Sequence, residues 1–338
     1  MPDNSFWSQP ATSRHLALTA AQAESGRKAH FLEKDIWIVE ILRILFDAPF
    51  ATDLVFKGGT SLSKAWGAIE RFSEDVDITY DIRAIAPDLV GNSGPEALPP
   101  TRSQEQRWTK AIRARLSSWV RDEAAPALAE GLRRAGLVVQ PRVAGDRIHV
   151  DYDPLFGGYG PVLPNVIVEF GARSTGEPYE VRRVRCDAAS LLPGIVFPEA
   201  RPAVMLAERT FWEKATAMHV FCKRDRGRGD RLTRHWYDLV RLDRTGFAEK
   251  ALADHSLAES VARHKAIFFR EKDTAGSWIS YQDAVTGALQ LVPSGSGRET
   301  LAADHQSMIR SGMLPEDAEP FDELMDACAD LERRANAR

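Results

Sequence analysis

The stretch Asp53-Leu54-Val55-Phe56-Lys57-Gly58-Gly59-Thr60-Ser61-Leu62-Ser63-Lys64, followed by Ser73-Glu74-Asp75-Val76-Asp77-Ile78-Thr79-Tyr80, decides how the chain is read. Leu54, Val55 and Phe56 form an apolar run suited to a short buried strand, and Gly58-Gly59 ends it. Thr60 and Ser61 are good helix N-cap residues, so strand, glycine turn and helix start follow one another. Asp75 and Asp77 then alternate with Val76 and Ile78, which on a second strand sends both carboxylates to one face and both aliphatics to the other.

Adjacent carboxylates repel, and a divalent cation between them relieves the repulsion. Glycines let a backbone approach a ligand closely, and the N–H groups that open a helix favour an anion. A phosphate turn beside a metal-binding acid pair points to phosphoryl or nucleotidyl transfer. In that reading Asp75 and Asp77 hold Mg²⁺ or Mn²⁺, while Gly58, Gly59, Thr60, Ser61 and Ser73 meet the phosphates of a nucleoside triphosphate. Lys57, Lys64 and Lys214 are the candidate cations for the triphosphate; Lys57 and Lys64 read as exposed, which favours Lys214.

Working outward, helices are expected over residues 12–30 and 32–46, the second with Ile36, Val39, Leu42 and Phe46 at helical spacing and packed on the sheet. Residues 84–103 carry Pro87, Gly91, Gly94, Pro95, Pro99 and Pro100 and read as a loop or insertion. Residues 105–135 read as a long helix that Pro126 kinks or divides. Strands are expected at Leu137-Val138-Val139 and at 147–152, separated by a turn at Gly145-Asp146. In Asn165-Val166-Ile167-Val168-Glu169-Phe170, Glu169 interrupts an apolar strand, where an unpaired carboxylate is costly, and it is the candidate third acid. Asp151 and Asp153 are a competing pair, but they read better as strand exit into a turn.

Residues 176–203 read as short strands and loops, and from Ala203 onward the pattern is helical. Ala207, Phe211, Lys214, Met218 and Phe221 share one helix side, so Lys214 stands on a mostly apolar face and calls for an anionic partner. Between residues 223 and 234, six basic side chains face two acidic ones. Arg224, Arg226, Arg228, Arg231 and Arg234 are therefore candidate nucleic-acid contacts, with a solvated loop as the alternative.

Phe-Lys-Gly-Gly-Thr-Ser-Leu-Ser-Lys with Arg-Phe-Ser-Glu-Asp-Val-Asp-Ile resembles the polymerase-β-like nucleotidyltransferase superfamily and, more closely, the AbiEii/AbiGii family of nucleotidyltransferase toxins. The resemblance implies an α+β fold: a mixed-sheet nucleotidyltransferase core with flanking helices over 1–200 and a C-terminal helical lobe over 201–338. It strengthens Glu169 as the later-strand acid and Lys214 as the lysine of a helical motif, and it implies a supporting or general-base role for Asp238 in the Asp-Leu of Arg234-His235-Trp236-Tyr237-Asp238-Leu239, with simple pairing to Arg234 or Arg241 as the alternative. It further implies a toxin of a toxin–antitoxin system with a cognate antitoxin, transferring a nucleoside monophosphate to an acceptor hydroxyl, in some members the 3′ end of tRNA. Transfer to a protein side chain, a kinase reaction, and a non-catalytic RNA- or partner-binding module remain open.

Composition is that of an ordinary globular chain: 338 residues, 44% hydrophobic, 27% charged, net charge −4. That balance excludes a protein that coats nucleic acid through bulk charge. Cys186, Cys222 and Cys328 are scattered, which argues against a disulfide framework or a zinc site. No apolar run reaches the length of a membrane span and the first residues lack a signal pattern, so a cytoplasmic protein without membrane contact is expected.

Overall fold

The computed structural model describes residues 4–91, 93–157, 162–224 and 231–337. In chain order the elements are helices α1 (Ala11–Ser25) and α2 (Ala29–Phe46), strand β1 (Leu54–Lys57), helix α3 (Gly58–Lys64), strand β2 (Asp75–Tyr80), and helices α4 (Ile82–Ile85), α5 (Pro87–Val90), α6 (Arg102–Trp119) and α7 (Ala125–Arg134). Strands β3 (Arg142–Ala144), β4 (Arg147–Asp151), β5 (Asn165–Gly171), β6 (Tyr179–Val181), β7 (Val184–Arg185), β8 (Glu199–Ala200) and β9 (Ala203–Met205) follow. Helices α8 (Ala207–Arg224), α9 (Arg234–Arg244), α10 (Phe247–Ala253), α11 (His255–Phe268), α12 (Tyr281–Val285), α13 (Gly295–Arg310) and α14 (Phe321–Asn336) complete the chain. The α+β class and the mixed sheet are as expected.

Two compact units divide these elements. The first runs to Ala65 and takes in Ser73–Leu89 and Lys110–Val204; the second takes Trp66–Phe72, Val90–Thr109 and the chain from Met205 onward.

In the first unit one sheet has the order β3-β4-β5-β2-β1-β9-β6, and β7 and β8 form a separate pair. The β2/β5 and β1/β9 pairs are parallel, while β1/β2, β4/β5 and β3/β4 are antiparallel. Alternation sorts the residues by face: Val76, Ile78, Val166, Val168 and Phe170 are buried, whereas Asp75, Asp77, Ile167 and Glu169 are half-buried. The hydrophobic face therefore holds the sheet in place, and the opposite face presents the acids.

Helix α2 packs on β2 and β5, as its apolar spacing predicts, and also meets α1, α7 and β8. It is enclosed more fully than an amphipathic helix would be: Glu33, Lys34, Asp35 and Glu40 are buried along with its aliphatic residues. Each of these charges has a partner. Lys34 Nζ lies 2.8 Å from Glu74 Oε2, Glu33 accepts from the Leu155 N–H at 2.8 Å, and Glu40 accepts from Arg43 at 2.6 Å.

Several sequence expectations shift by identifiable causes. Pro126 lacks the N–H that would reach residue 122 and its ring crowds that carbonyl, so a π-helical stretch, Val120–Ala124, separates α6 from α7. Residues 137–139 form no strand, and Val138 is fully exposed; the hairpin instead pairs 142–144 with 147–149 around Gly145-Asp146, so 142–144 and not the earlier segment is the strand beside β4. Residues 84–103 are not loop alone, since Pro87 opens the short α5, a position where its missing N–H costs nothing.

The reading of Lys64 as exposed is corrected. Its side chain is 7% exposed, with Nζ 2.6 Å from Asp35 Oδ1 on α2 and in contact with Asp187. Asp35 Oδ2 also accepts the backbone N–H of Asp187 at 2.7 Å, and Arg27 reaches Asp187 from outside. This cluster fastens the C-terminal end of α3 to α2. Burial pushes the Asp35 carboxyl above its usual range, and Lys64 and Arg27 pull it back.

We predict that Lys64→Met costs about 3–5 kcal/mol at neutral pH, because it strands the buried Asp35 carboxylate. Without Lys64 the folded-state pKa of Asp35 rises further above its unfolded value. Folding then favours the protonated acid, so the deficit is smallest at acid pH and grows as pH rises through the raised pKa. Denaturant unfolding across a pH series reads this, and a pH-independent deficit would contradict it.

Candidate active site

In the first unit, strand register builds a row of charges across the sheet. Lys57 on β1 is paired with Asp77 on β2, Asp77 with Glu169 on β5, and Glu169 with Arg147 on β4. Side chains at laterally paired positions share a face and lie close together. The row therefore reads cation, acid, acid, cation, and Asp75 stands two residues from Asp77 on the same face. Sequence reasoning placed Asp75, Asp77 and Glu169 together, and the sheet does so.

Arg147 Nη2 lies 2.8 Å from Glu169 Oε1. Burial pushes the Glu169 carboxyl up, Arg147 opposes that, and the nearby Asp77 and Asp75 add to the rise. The three acids thus share one electrostatic environment. Among the described residues, no group of three or more His, Cys, Asp or Glu side chains is arranged to hold a metal ion. The donor set is nevertheless chemically suited to one, since carboxylate oxygens on neighbouring strands are the ligands that hard divalent cations take.

The glycine turn abuts this row. Gly58 has φ +79°, a conformation that L side chains rarely adopt, and a Cβ there would come within 2.2 Å of Asp77 Oδ2. Only a glycine allows the turn and the carboxylate to approach so closely. The helix starts earlier than Thr60 and Ser61 suggested, with Lys57 as its N-cap and Gly58 as its first residue. Freed from capping, the Thr60 hydroxyl donates to the Asp75 carbonyl and lies 2.9 Å from Ser73 Oγ. That contact ties the turn to the strand of acids. Ser61 is fully buried and donates to the Gly58 carbonyl at 2.9 Å. Asp151 is exposed at the end of β4, where Arg142 meets it at 3.4 Å.

In the second unit, Lys214 on α8 and Asp238 on α9 meet, with Lys214 Nζ 2.9 Å from Asp238 Oδ2. The partner of Asp238 is neither Arg234 nor Arg241. Arg71 donates Nε to Oδ1 at 2.6 Å and Nη2 to Oδ2 at 2.8 Å, while Arg241 pairs with Glu70 at 2.7 Å. Sequence reasoning missed Arg71; its one signal was its place in Arg71-Phe72-Ser73-Glu74-Asp75. Burial alone would raise the Asp238 carboxyl, but Arg71 and Lys214 outweigh it and hold the group well below the usual carboxylate range. A carboxylate so held is a poor proton acceptor, and both its oxygens are occupied. Burial lowers Lys214, with Asp238 opposing, and it lowers His235 well below the usual imidazole range, with Nδ1 3.4 Å from Lys214 Nζ.

Of the arginine-rich segment, Arg226 and Arg228 lie outside the described residues. Arg224 pairs with Glu271 at 2.5 Å, the Arg231 N–H donates to Asp304 at 2.8 Å, and Arg234 opens α9. No described helix is long and apolar enough to cross a membrane.

A strand, glycine turn and helix beside paired acids on a mixed sheet make the kind of site that transfers phosphorus groups. Residues 40–327 match the family described as nucleotidyl transferase AbiEii toxin, type IV toxin–antitoxin system, and the chain belongs to that family. It is a nucleotidyltransferase and a toxin of a toxin–antitoxin system. The chain is also similar to MenT4, a nucleotidyltransferase toxin from Mycobacterium tuberculosis, with 16% identity and a TM-score of 0.41 over 95% of this chain and 98% of that one. No curated protein matches it.

Gly58→Ala is expected to cost about 1–3 kcal/mol from backbone strain and, by displacing Asp77, to remove most transferase activity at temperatures where the variant stays folded. Melting and activity measured on one preparation test this. Asp238→Asn is expected to destabilise the second unit by about 3–5 kcal/mol at neutral pH. Because the folded-state pKa of Asp238 is depressed, its contribution is present above the ordinary carboxylate pKa and fades as pH falls through the lower value, so the difference from the native chain should shrink in acid.

Proposed function

We propose that the enzyme transfers a nucleoside monophosphate from a nucleoside triphosphate to an acceptor hydroxyl at the 3′ end of tRNA, in the cytoplasm, with release of pyrophosphate. The observation that carries the reading is the lateral pairing of Asp77 with Glu169, with Asp75 on the same face and Gly58 set against Asp77. Asp75 and Asp77, with Glu169 as third acid, would hold Mg²⁺ or Mn²⁺, which when bound neutralises charge on the phosphates and acidifies the acceptor hydroxyl.

The chain's own groups do the rest. Backbone N–H groups of Gly58 and Gly59, with Lys57, bind phosphate oxygens, and Thr60 and Ser73 keep the turn in register with Asp75. Ser61 supports the turn through its bond to the Gly58 carbonyl. Lys214 supplies positive charge for the triphosphate, and Asp238 is a positioning residue for that lysine rather than a base, since Arg71 and Lys214 already engage it. Arg224, Arg226, Arg228, Arg231 and Arg234 meet the RNA backbone. The acceptor hydroxyl oxygen attacks the α-phosphorus as its proton passes to solvent, the bond from that phosphorus to the oxygen bridging the β-phosphate breaks, and pyrophosphate leaves. As a family toxin, the protein is expected to be restrained by a cognate antitoxin.

Incubating the native chain, Asp75→Ala and Asp77→Ala with total tRNA and either α- or γ-³²P-labelled triphosphate tests the proposal. Label is expected on tRNA from the α position only, and is expected to be lost in both variants while their melting temperatures stay near native. Transfer from the γ position would make the enzyme a kinase; label on protein alone would remove tRNA as the acceptor; active variants would remove the acids from the site.

A further inference from the structure

We propose that a hairpin in the second unit is a docking platform for single-stranded RNA, an inference that rests on the reading of the acceptor as RNA. Past the end of α11 the chain forms a tight loop. Lys272 and Trp278 face each other in an antiparallel bridge, the Ile279 N–H donates to the Glu271 carbonyl at 3.0 Å, and the Asp273 N–H donates to the Ser277 carbonyl at 2.9 Å. The Asp273 carboxylate accepts from the N–H groups of Ala275 and Ser277 at 2.9 and 2.8 Å. The Tyr281 hydroxyl donates to the Phe269 carbonyl, fastening the base of the loop to the start of α12.

This frame holds two aromatic rings toward solvent, with Trp278 54% and Phe269 38% exposed. Cations surround both. The Arg270 guanidinium lies 4.2 Å and Lys272 Nζ 4.9 Å from the Trp278 ring centroid, and Lys265 Nζ lies 4.9 Å from that of Phe269. The hairpin's acids are already engaged: Glu271 with Arg224 at the end of α8, and Asp273 with its own backbone. Rings and a guanidinium plane are surfaces on which unpaired bases stack, and adjacent ammonium and guanidinium groups neutralise the phosphates between those bases. A duplex keeps its base faces stacked inside, so this chemistry selects a single strand. Every base has a π face, so the platform is tolerant of sequence. Arg224, through its pair with Glu271, adds a further cation beside the loop.

Fluorescence anisotropy of a labelled, unstructured single-stranded RNA of about 12 nucleotides bound to the full chain tests the platform across a salt series. Trp278→Ala is expected to weaken binding about tenfold, the loss of one stacked base, and Trp278→Phe to keep most of the affinity. Arg270→Ala with Lys272→Ala is expected to weaken binding and to reduce the salt slope by about 1.4. Near-ultraviolet circular dichroism checks that the variants remain folded. Native affinity in both the Trp278→Ala and the double variant, as a surface for a protein would give, overturns the platform, as does equal affinity for a duplex of the same sequence. If those variants bind RNA normally while the native chain labels tRNA, the platform alone fails. Trp278-dependent RNA binding with no label on tRNA sinks the acceptor assignment and leaves the platform standing.

Discussion

Asp77 and Glu169 occupy laterally paired positions on parallel strands, and like charges so placed raise the free energy of a sheet unless their surroundings offset it. Much of the first unit can be understood as that offset. Lys57 and Arg147 flank the acids in the same row, one on each side, and Arg147 is bonded to Glu169. The strands carrying the acids are anchored by buried Val76, Ile78, Val166 and Val168 on the opposite face, so the repulsion cannot be relieved by letting the strands part without exposing that core. The residual tension is visible in Glu169, whose carboxyl is pushed up by burial and by Asp77 and Asp75 despite the arginine beside it. Such tension favours whatever positive charge arrives at the row.

The same logic governs the buried charges elsewhere. Lys64 between Asp35 and Asp187, Lys34 on Glu74, and Asp238 between Arg71 and Lys214 are each paired in geometry good enough to survive loss of water. In the first unit the Lys64 pairs fix α3, and hence the glycine turn, against α2, and Lys34 holds the residue that precedes β2. In the second, Asp238 fixes the ammonium of Lys214. Replacing such pairs with hydrocarbon often costs a protein little stability, so their value lies in where they hold particular atoms.

Local order was legible in the sequence. The glycine turn, the Asp-x-Asp strand and the strand of Glu169 all follow from alternation and turn chemistry, which act over a few residues. Their meeting on one sheet was legible only through the family resemblance, because strand order is not a local property. What escaped was long-range pairing: Arg71 with Asp238 and Lys64 with Asp187 join residues far apart in the chain, and nothing near either partner announces the other. Arg147 was in view on its strand, but its place beside Glu169 depends on the register set by the Gly145-Asp146 hairpin. Residues 137–139 have strand composition and no partner, a reminder that β-propensity describes a pleated surface and does not supply the neighbour.

The parallel pairing of β1 with β9 brings Phe56 to Val204. On the ribosome, the strand that leads into the glycine turn emerges long before the strand that must lie beside it, and contacts of such sequence separation form late. A nascent or truncated chain ending before residue 204 therefore carries the acids and the turn on a sheet with an open edge. The unpaired N–H and C=O groups of β1 would then be a template for strands of other chains, so early release of the chain favours aggregation over a working fold.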